Sequence, residues 1–212
     1  MARSRTSNRK SRDAVRPAPG GVLIVQAVLN TVDPKTGADE LVQPKDLSDW
    51  LARHGLLDAG TKLSRTEVGR AQDVRDGLRA LLVAHDGGEL DQDAVRVLDE
   101  AVRSARPRLR FQGDGSDRFD TADLDLALGH LVTLAAMTRR EGHWDKLRIC
   151  ANSECRAVFY EFSHGRAKWC SRRCGNRLRA RKYRRTDRYR QKPSHKAPRL
   201  PVIFRPLEDS EG

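Results

Sequence analysis

Cysteine is absent from the first 149 residues of this 212-residue chain; four then stand at Cys150, Cys155, Cys170 and Cys174. Whatever those thiols do belongs to the C-terminal quarter, and the rest of the chain needs another account. Long apolar runs are missing too. None approaches the roughly 20 residues that span a bilayer, which argues against a membrane span. Hydrophobic residues make up 38% of the chain and aromatics 5%, a composition suited to a soluble protein with a modest core and polar tails. The basic N-terminus has no apolar stretch before Pro17 and Pro19. That reads as a short basic flexible arm over residues 1–19 rather than a secretory leader.

Catalytic signatures are equally scarce. There is no Gly-rich phosphate loop, nucleophile elbow or His-Glu-x-x-His. His54, His85, His130 and His143 have no companions at a metal or catalytic spacing, so they read as surface or packing residues. Asp114, Asp117, Asp120, Asp123 and Asp125 lack the calcium-loop order of ligands and its closing glutamate. The expectation is a protein that is not an enzyme, with a ligand-processing enzyme bearing a basic tail as the minor alternative. A sensor pocket built of apolar walls would leave no such signature.

What the chain has in excess is positive charge, unevenly placed. Residues 1–138 carry 20 Lys and Arg against 21 Asp and Glu; residues 139–199 carry 20 against 5; residues 200–212 carry 1 against 3. A field concentrated in the segment around and after the cysteines favours a nucleic acid, with an anionic membrane or plain solubility as competitors.

The first part reads as helices with short breaks. Residues 21–33 open on a run that fits a strand or a buried helix. Asn30, Thr31 and Asp33 follow as turn or cap residues; local capping is the plainer reading of Asn30 and Asp33, ligand binding the other. A short helix is expected from Asp46, with Leu47, Trp50 and Leu51 on one face and Gly55 as its stop. Ser64 and Glu67 have capping-box spacing before Ala71, Val74, Leu78 and Leu81 or Leu82. A further helix over 92–105 places Ala94, Val97, Leu98, Ala101 and Val102 inward until Pro107. Residues 108–119 suit a small hairpin turning at Gly113 to Gly115. Asp120 or Thr121 then caps a long helix whose stripe, Leu124 to Ala135, fastens the hairpin and the earlier helices together.

The cysteines follow C-x4-C-x14-C-x3-C spacing within 25 residues. Four thiols so close, without an export signal, point to metal, with disulfides or unrelated free thiols as alternatives. Ala151 to Glu154 would form a tight knuckle, Val158 to Tyr160 a strand, and Ser171 would cap a helix holding Cys174 in its first turn. Four sulfurs complete a tetrahedron and leave no open position. One structural Zn2+ is preferred over an iron–sulfur cluster because the helix-forming surroundings look like a small fold stapled by its ion. His164 is a weaker candidate ligand. Such a module would bury too little apolar area to fold securely without its ion. Arg172, Arg173, Arg177, Arg181, Lys182, Arg184, Arg185 and Arg188 follow, with Asp187 the only acid among them. At helical spacing Arg177, Arg181, Arg184 or Arg185, and Arg188 form a stripe that would position phosphates.

Leu147-Arg-Ile-Cys-Ala-Asn-Ser-Glu-Cys155, Trp169-Cys-Ser171 and Cys174-Gly-Asn-Arg177 resemble the CGNR zinc-finger family of bacterial transcriptional regulators. The resemblance implies that all four cysteines ligate zinc. The usual N-terminal partner in that family is a helical domain called ABATE, proposed to sense stress or a ligand. Leu29-Asn30-Thr31-Val32-Asp33 is similar to its opening motif, and the likeness spans residues 20–190.

The expected architecture is mainly α. After the arm over 1–19 comes a helical sensing or oligomerising domain over 20–142, carrying the small β-hairpin. A zinc-stapled β-hairpin and helix module occupies 143–191, and a Pro/Arg-rich flexible tail 192–212. The expected function is zinc-dependent, DNA-binding transcriptional regulation in the cytoplasm, at the nucleoid. Double-stranded DNA is the favoured partner; an RNA-binding or ribosome-associated role and a protein-interaction zinc module are the alternatives. A small-molecule or protein effector of the helical domain and a homodimer complete the expectations.

Overall fold

The computed structural model describes residues 17–105, 109–119, 121–163 and 167–186. Most of the basic arm, Pro107, Asp120, His164, Asp187, Arg188 and the tail over 192–212 lie outside the described residues. The chain divides into two compact units, residues 1–178 and 179–212.

In the first unit, α1 spans Val22–Leu29. The run is a helix, and Val22, Val25, Gln26, Val28 and Leu29 are all buried. They make one broad inward face, while Leu23 on the other side is 41% exposed. Helix α2, Pro44–Arg53, starts two residues before Asp46. Pro44 tolerates the first turn, and Asp46 reaches back to the Gln43 N–H at 3.0 Å. Leu47, Trp50 and Leu51 are buried, and the stop at Gly55 uses φ +68°.

Helix α3, Arg65–His85, carries the expected capping box: the Glu67 N–H donates to Ser64 Oγ, and Glu67 Oε2 accepts from the Ser64 N–H. Helix α4, Gln92–Ser104, is capped by Asp91. Its buried line is Ala94, Leu98, Ala101 and then Ala105, while Val102 is 44% exposed rather than inward. Val102 follows Ala101 by one residue, about 100° around the helix, and so sits at the edge of that stripe.

Strands β1, Leu109–Phe111, and β2, Asp117–Phe119, form the expected antiparallel hairpin, with Phe111 opposite Asp117. Phe111 is 76% exposed, so that residue does not fasten the hairpin to the core. Helix α5, Leu124–Arg140, is capped by Asp123, which accepts from the Leu126 N–H at 2.9 Å. Thr121, one of the two caps expected, instead donates its hydroxyl to Asp58. Helices α4 and α5 cross so closely that a Cβ at Gly129 would lie 2.0 Å from the Ala105 Cβ.

A 3-10 turn, Trp144–Lys146, leads into β3, Leu147–Ile149, which pairs antiparallel with β4, Val158–Tyr160. Side chains of a strand alternate between faces. Leu147, Val158 and Tyr160 join the helical core with Trp144, whereas Phe159 packs beside Cys150 and Cys174. The core therefore runs across residues 142 and 143. Helix α6, Arg172–Arg184, closes the described chain. In the second unit, residues 179–186 are all exposed, and the turn after α6 is closed by the Thr186 N–H on Tyr183 O. Among the described residues no helix is long and apolar enough to cross a membrane.

Candidate metal centre and basic helix

Three short elements bring the four thiols together. Cys150 follows β3, and its N–H donates to Ala157 O at 2.9 Å, extending the hairpin ladder by one bond. The chain then folds into a knuckle in which Asn152 O accepts from both the Cys155 and Arg156 N–H groups, at 2.8 and 3.0 Å. Arg156 adopts φ +50°, a left-handed conformation that a non-glycine residue takes only when its surroundings hold it. The Ala151 N–H donates to Lys168 O, drawing the segment before Cys170 against the knuckle. Ser171 caps α6 as expected: its Oγ accepts from the Cys174 N–H at 3.3 Å, which sets Cys174 in the first helical turn.

The four sulfurs all lie within 4.8 Å of one another, and Cys170 is 3.6 Å from both Cys155 and Cys174. All four cysteines are free thiols; a disulfide would need sulfurs about 2.05 Å apart. Four thiolates at about 2.3 Å from a central zinc would stand about 3.8 Å apart along each tetrahedral edge. The shortest separations match that edge. The cluster is thus able to coordinate a metal ion.

Its electrostatics point the same way. Burial pushes the Cys155 and Cys170 thiols up, and for Cys170 the negative charge of Cys150 adds to the effect. Burial acts in the same direction on Cys174, but hydrogen bonds involving Cys170, Cys155, Asn152 and Ser171 outweigh it and hold that thiol below its ordinary value. Left to themselves, the sulfurs cannot all ionise; a divalent cation in their midst removes the conflict. Asn152 supplies a further test of fit. It is 1% exposed, and its Nδ2 makes no hydrogen bond of ordinary geometry while its dipole bears on the Cys174 sulfur. A donor buried there suits a metal-bound thiolate better than a thiol.

The helical core holds this centre from behind. The Asn30 side chain grips the β4 backbone with both ends: Nδ2 donates to Val158 O at 2.7 Å and Oδ1 accepts from the Val158 N–H at 2.8 Å. Gln26 adds a longer bond to the same carbonyl. Arg79 donates to Leu29 O and, at 2.5 Å, to Arg156 O in the strained knuckle. Asn30 occupies the C-cap position of α1, as a local cap would, and its side chain in addition tethers residues 128 apart. Asp33 is local: the Lys35 N–H and the Thr36 hydroxyl bind its exposed carboxyl and hold it below the usual carboxylate range. Thr31 between them is buried and accepts from Arg75, which pairs with Asp39 at 2.6 Å.

Arg172, Arg173 and Arg177, in the first unit, are exposed, and so are Arg181, Lys182, Arg184 and Arg185 in the second. Arg188 lies outside the described residues. Sequence reasoning missed Asn152, Arg79 and Arg75. Asn152 stood inside the expected knuckle, and the available signal was an asparagine two residues before Glu154, whose N–H its Oδ1 accepts at 3.2 Å. The arginines carried none, because nothing in the α3 pattern distinguishes a buried arginine from a solvated one.

Comparison with known families gives two matches. Residues 25–139 match the ABATE family model, described as "Putative stress-induced transcription regulator", and residues 146–186 match the CGNR zinc finger. No curated protein matches the chain.

Proposed function

The chain belongs to the ABATE family, whose model covers more than half its length, and on that premise we propose that it is a DNA-binding transcriptional regulator whose reading helix is held in place by zinc. The observation that carries this reading is the junction at Cys174. The four-sulfur cluster lies at the start of a helix that, with the residue after it, carries eight exposed Lys and Arg and no acid over residues 172–185. Such a helix repels itself until an anion relieves it. The CGNR match over the same residues supports both parts.

Cys150, Cys155, Cys170 and Cys174 would hold one Zn2+, whose role is structural: with four sulfurs bound, no position remains for water or substrate. Asn152 orients the Cys174 sulfur, and Ser171 fixes the helix start. Arg172, Arg173, Arg177, Arg181, Lys182, Arg184 and Arg185 would neutralise phosphates, and those that enter the major groove would read base edges.

The test is enrichment of short duplexes from a genomic pool by the zinc-loaded protein at two salt concentrations, with total RNA as competitor. A shared duplex sequence that is lost on chelation is the expected result. Binding without enrichment, or a preference for RNA, would replace this reading with a nonspecific or RNA-associated role.

A further inference from the structure

A cavity of about 530 Å3 opens between α3, α4 and α5, in the range that small-molecule sites occupy. Leu78, Leu81, Leu98, Val132 and Ala135 form its walls, and Trp144 lies across one end. Two of the exposed large aliphatic residues, Leu90 and Val102, also line it, at 48% and 44% exposure. That accounts for the outward position of Val102: it stands at the mouth of a hole rather than on a bare surface.

Few charged groups line the cavity, and all but one are engaged. Asp99 is paired with Arg103 at 2.6 Å, and His85 Nε2 lies 3.3 Å from Asp145. Arg139 has no ion-pair partner among the described residues and stands exposed among the lining residues. An apolar body with one anionic end complements this arrangement; a neutral body leaves the guanidinium unused, and a cation opposes it.

The same cavity adjoins the path to the metal centre. Trp144 begins the turn that becomes β3, and β3 ends one residue before Cys150. Asp86, one residue beyond α3, pairs with Arg148 and accepts from the Ile149 N–H, both at 3.4 Å. A molecule seated against Trp144 therefore bears on the strand that presents the first ligand. We propose that this cavity is an effector site for an amphipathic organic anion, such as a medium-chain or aromatic carboxylate, and that its occupancy alters duplex binding through the Trp144 turn. The effector half rests on the DNA-binding reading; the binding half does not.

The zinc-loaded full chain is titrated with 1-anilinonaphthalene-8-sulfonate, then competed with decanoate and with decanol. Decanoate should displace the probe about fivefold better than decanol, the upper ratio expected for one exposed charge pair. Arg139→Gln should erase that ratio. Ala136→Trp, at an exposed lining position, should abolish displaceable binding, with Val102→Trp as the second blocking variant if the first fails to fold by circular dichroism. Probe binding unchanged by both blocking variants, or a decanoate preference that survives Arg139→Gln, would overturn the site. Decanoate should also shift duplex affinity severalfold in the parent and not in the blocking variant. An unshifted affinity would overturn the effector half. A parent that binds no duplex at all would sink the DNA-binding reading, and the effector role with it, while the probe titration still decides the site.

Discussion

The two faces of the β3–β4 hairpin are stabilised by different physics. Leu147, Val158 and Tyr160 are buried in a core shared with α1, α3 and α5, where removal of apolar area from water supplies the stability. The opposite face offers Phe159 to a small cluster made of cysteines with Ala167 and Trp169, too little apolar area to hold a helix by itself. The hairpin thus belongs to the helical body, whereas the knuckle and the first turn of α6 meet at the sulfurs. That contrast locates what an ion at the four sulfurs would do: it would not have to fold the whole C-terminal quarter, only to fix the knuckle, the segment before Cys170 and the start of α6.

The sharpest way to break this contrast is to remove a ligand. Cys170→Ser should abolish stoichiometric zinc and lower duplex affinity by at least about a hundredfold, while the helical body keeps its circular-dichroism signal from α1 to α5. A zinc-loaded, duplex-binding Cys170→Ser protein would remove Cys170 from the ligand set. On the other side, Arg75→Ala strips the partner from Asp39 in an ion pair whose side chains are 4% and 14% exposed. It should cost the body about 3 kcal/mol in urea unfolding without changing zinc stoichiometry.

Between the two regions, Asn30→Ala would leave the Val158 N–H without its partner and the Val158 C=O with only the longer bond from Gln26. The expected cost is about 1–3 kcal/mol, read as faster amide exchange in β4 with the rest of α1 unchanged. A global loss of protection would show that Asn30 supports the whole core instead. Arg181→Ala and Arg185→Ala should leave both regions folded and each weaken duplex binding severalfold, lowering the salt slope by about 0.9 for every phosphate no longer neutralised. The smallest effect has the opposite sign. Arg156→Gly relieves a φ of +50° and removes a positive charge that bears on Arg79, so stability should rise by about 1 kcal/mol in the same urea unfolding.

Much of this was legible in the sequence because it is local. Helix caps at Ser64 and Ser171, the apolar stripes of α3 and α5, the 109–119 hairpin and the gathering of four cysteines all arise from residues close together in the chain. Where local evidence was balanced, the reading stayed open or slipped. The 22–29 run could not declare itself a helix until its neighbours were known, and Asp123, rather than Asp120 or Thr121, proved to cap α5. The tertiary facts were not legible at all. That Asn30 binds Val158, that Arg79 reaches Arg156, and that Val102 lines a cavity depend on which helices cross where, and the crossings at Gly77 and Gly129 are set by contacts rather than by pattern.

The most direct measurement is hydrogen exchange on the full chain before and after chelation, with duplex binding monitored on the same samples. On chelation α1 to α5 and the β3–β4 amides should stay protected, while residues 167–184 lose protection and duplex binding disappears, both returning with added zinc. Unchanged protection over 167–184 together with unchanged duplex binding in metal-free protein would contradict it.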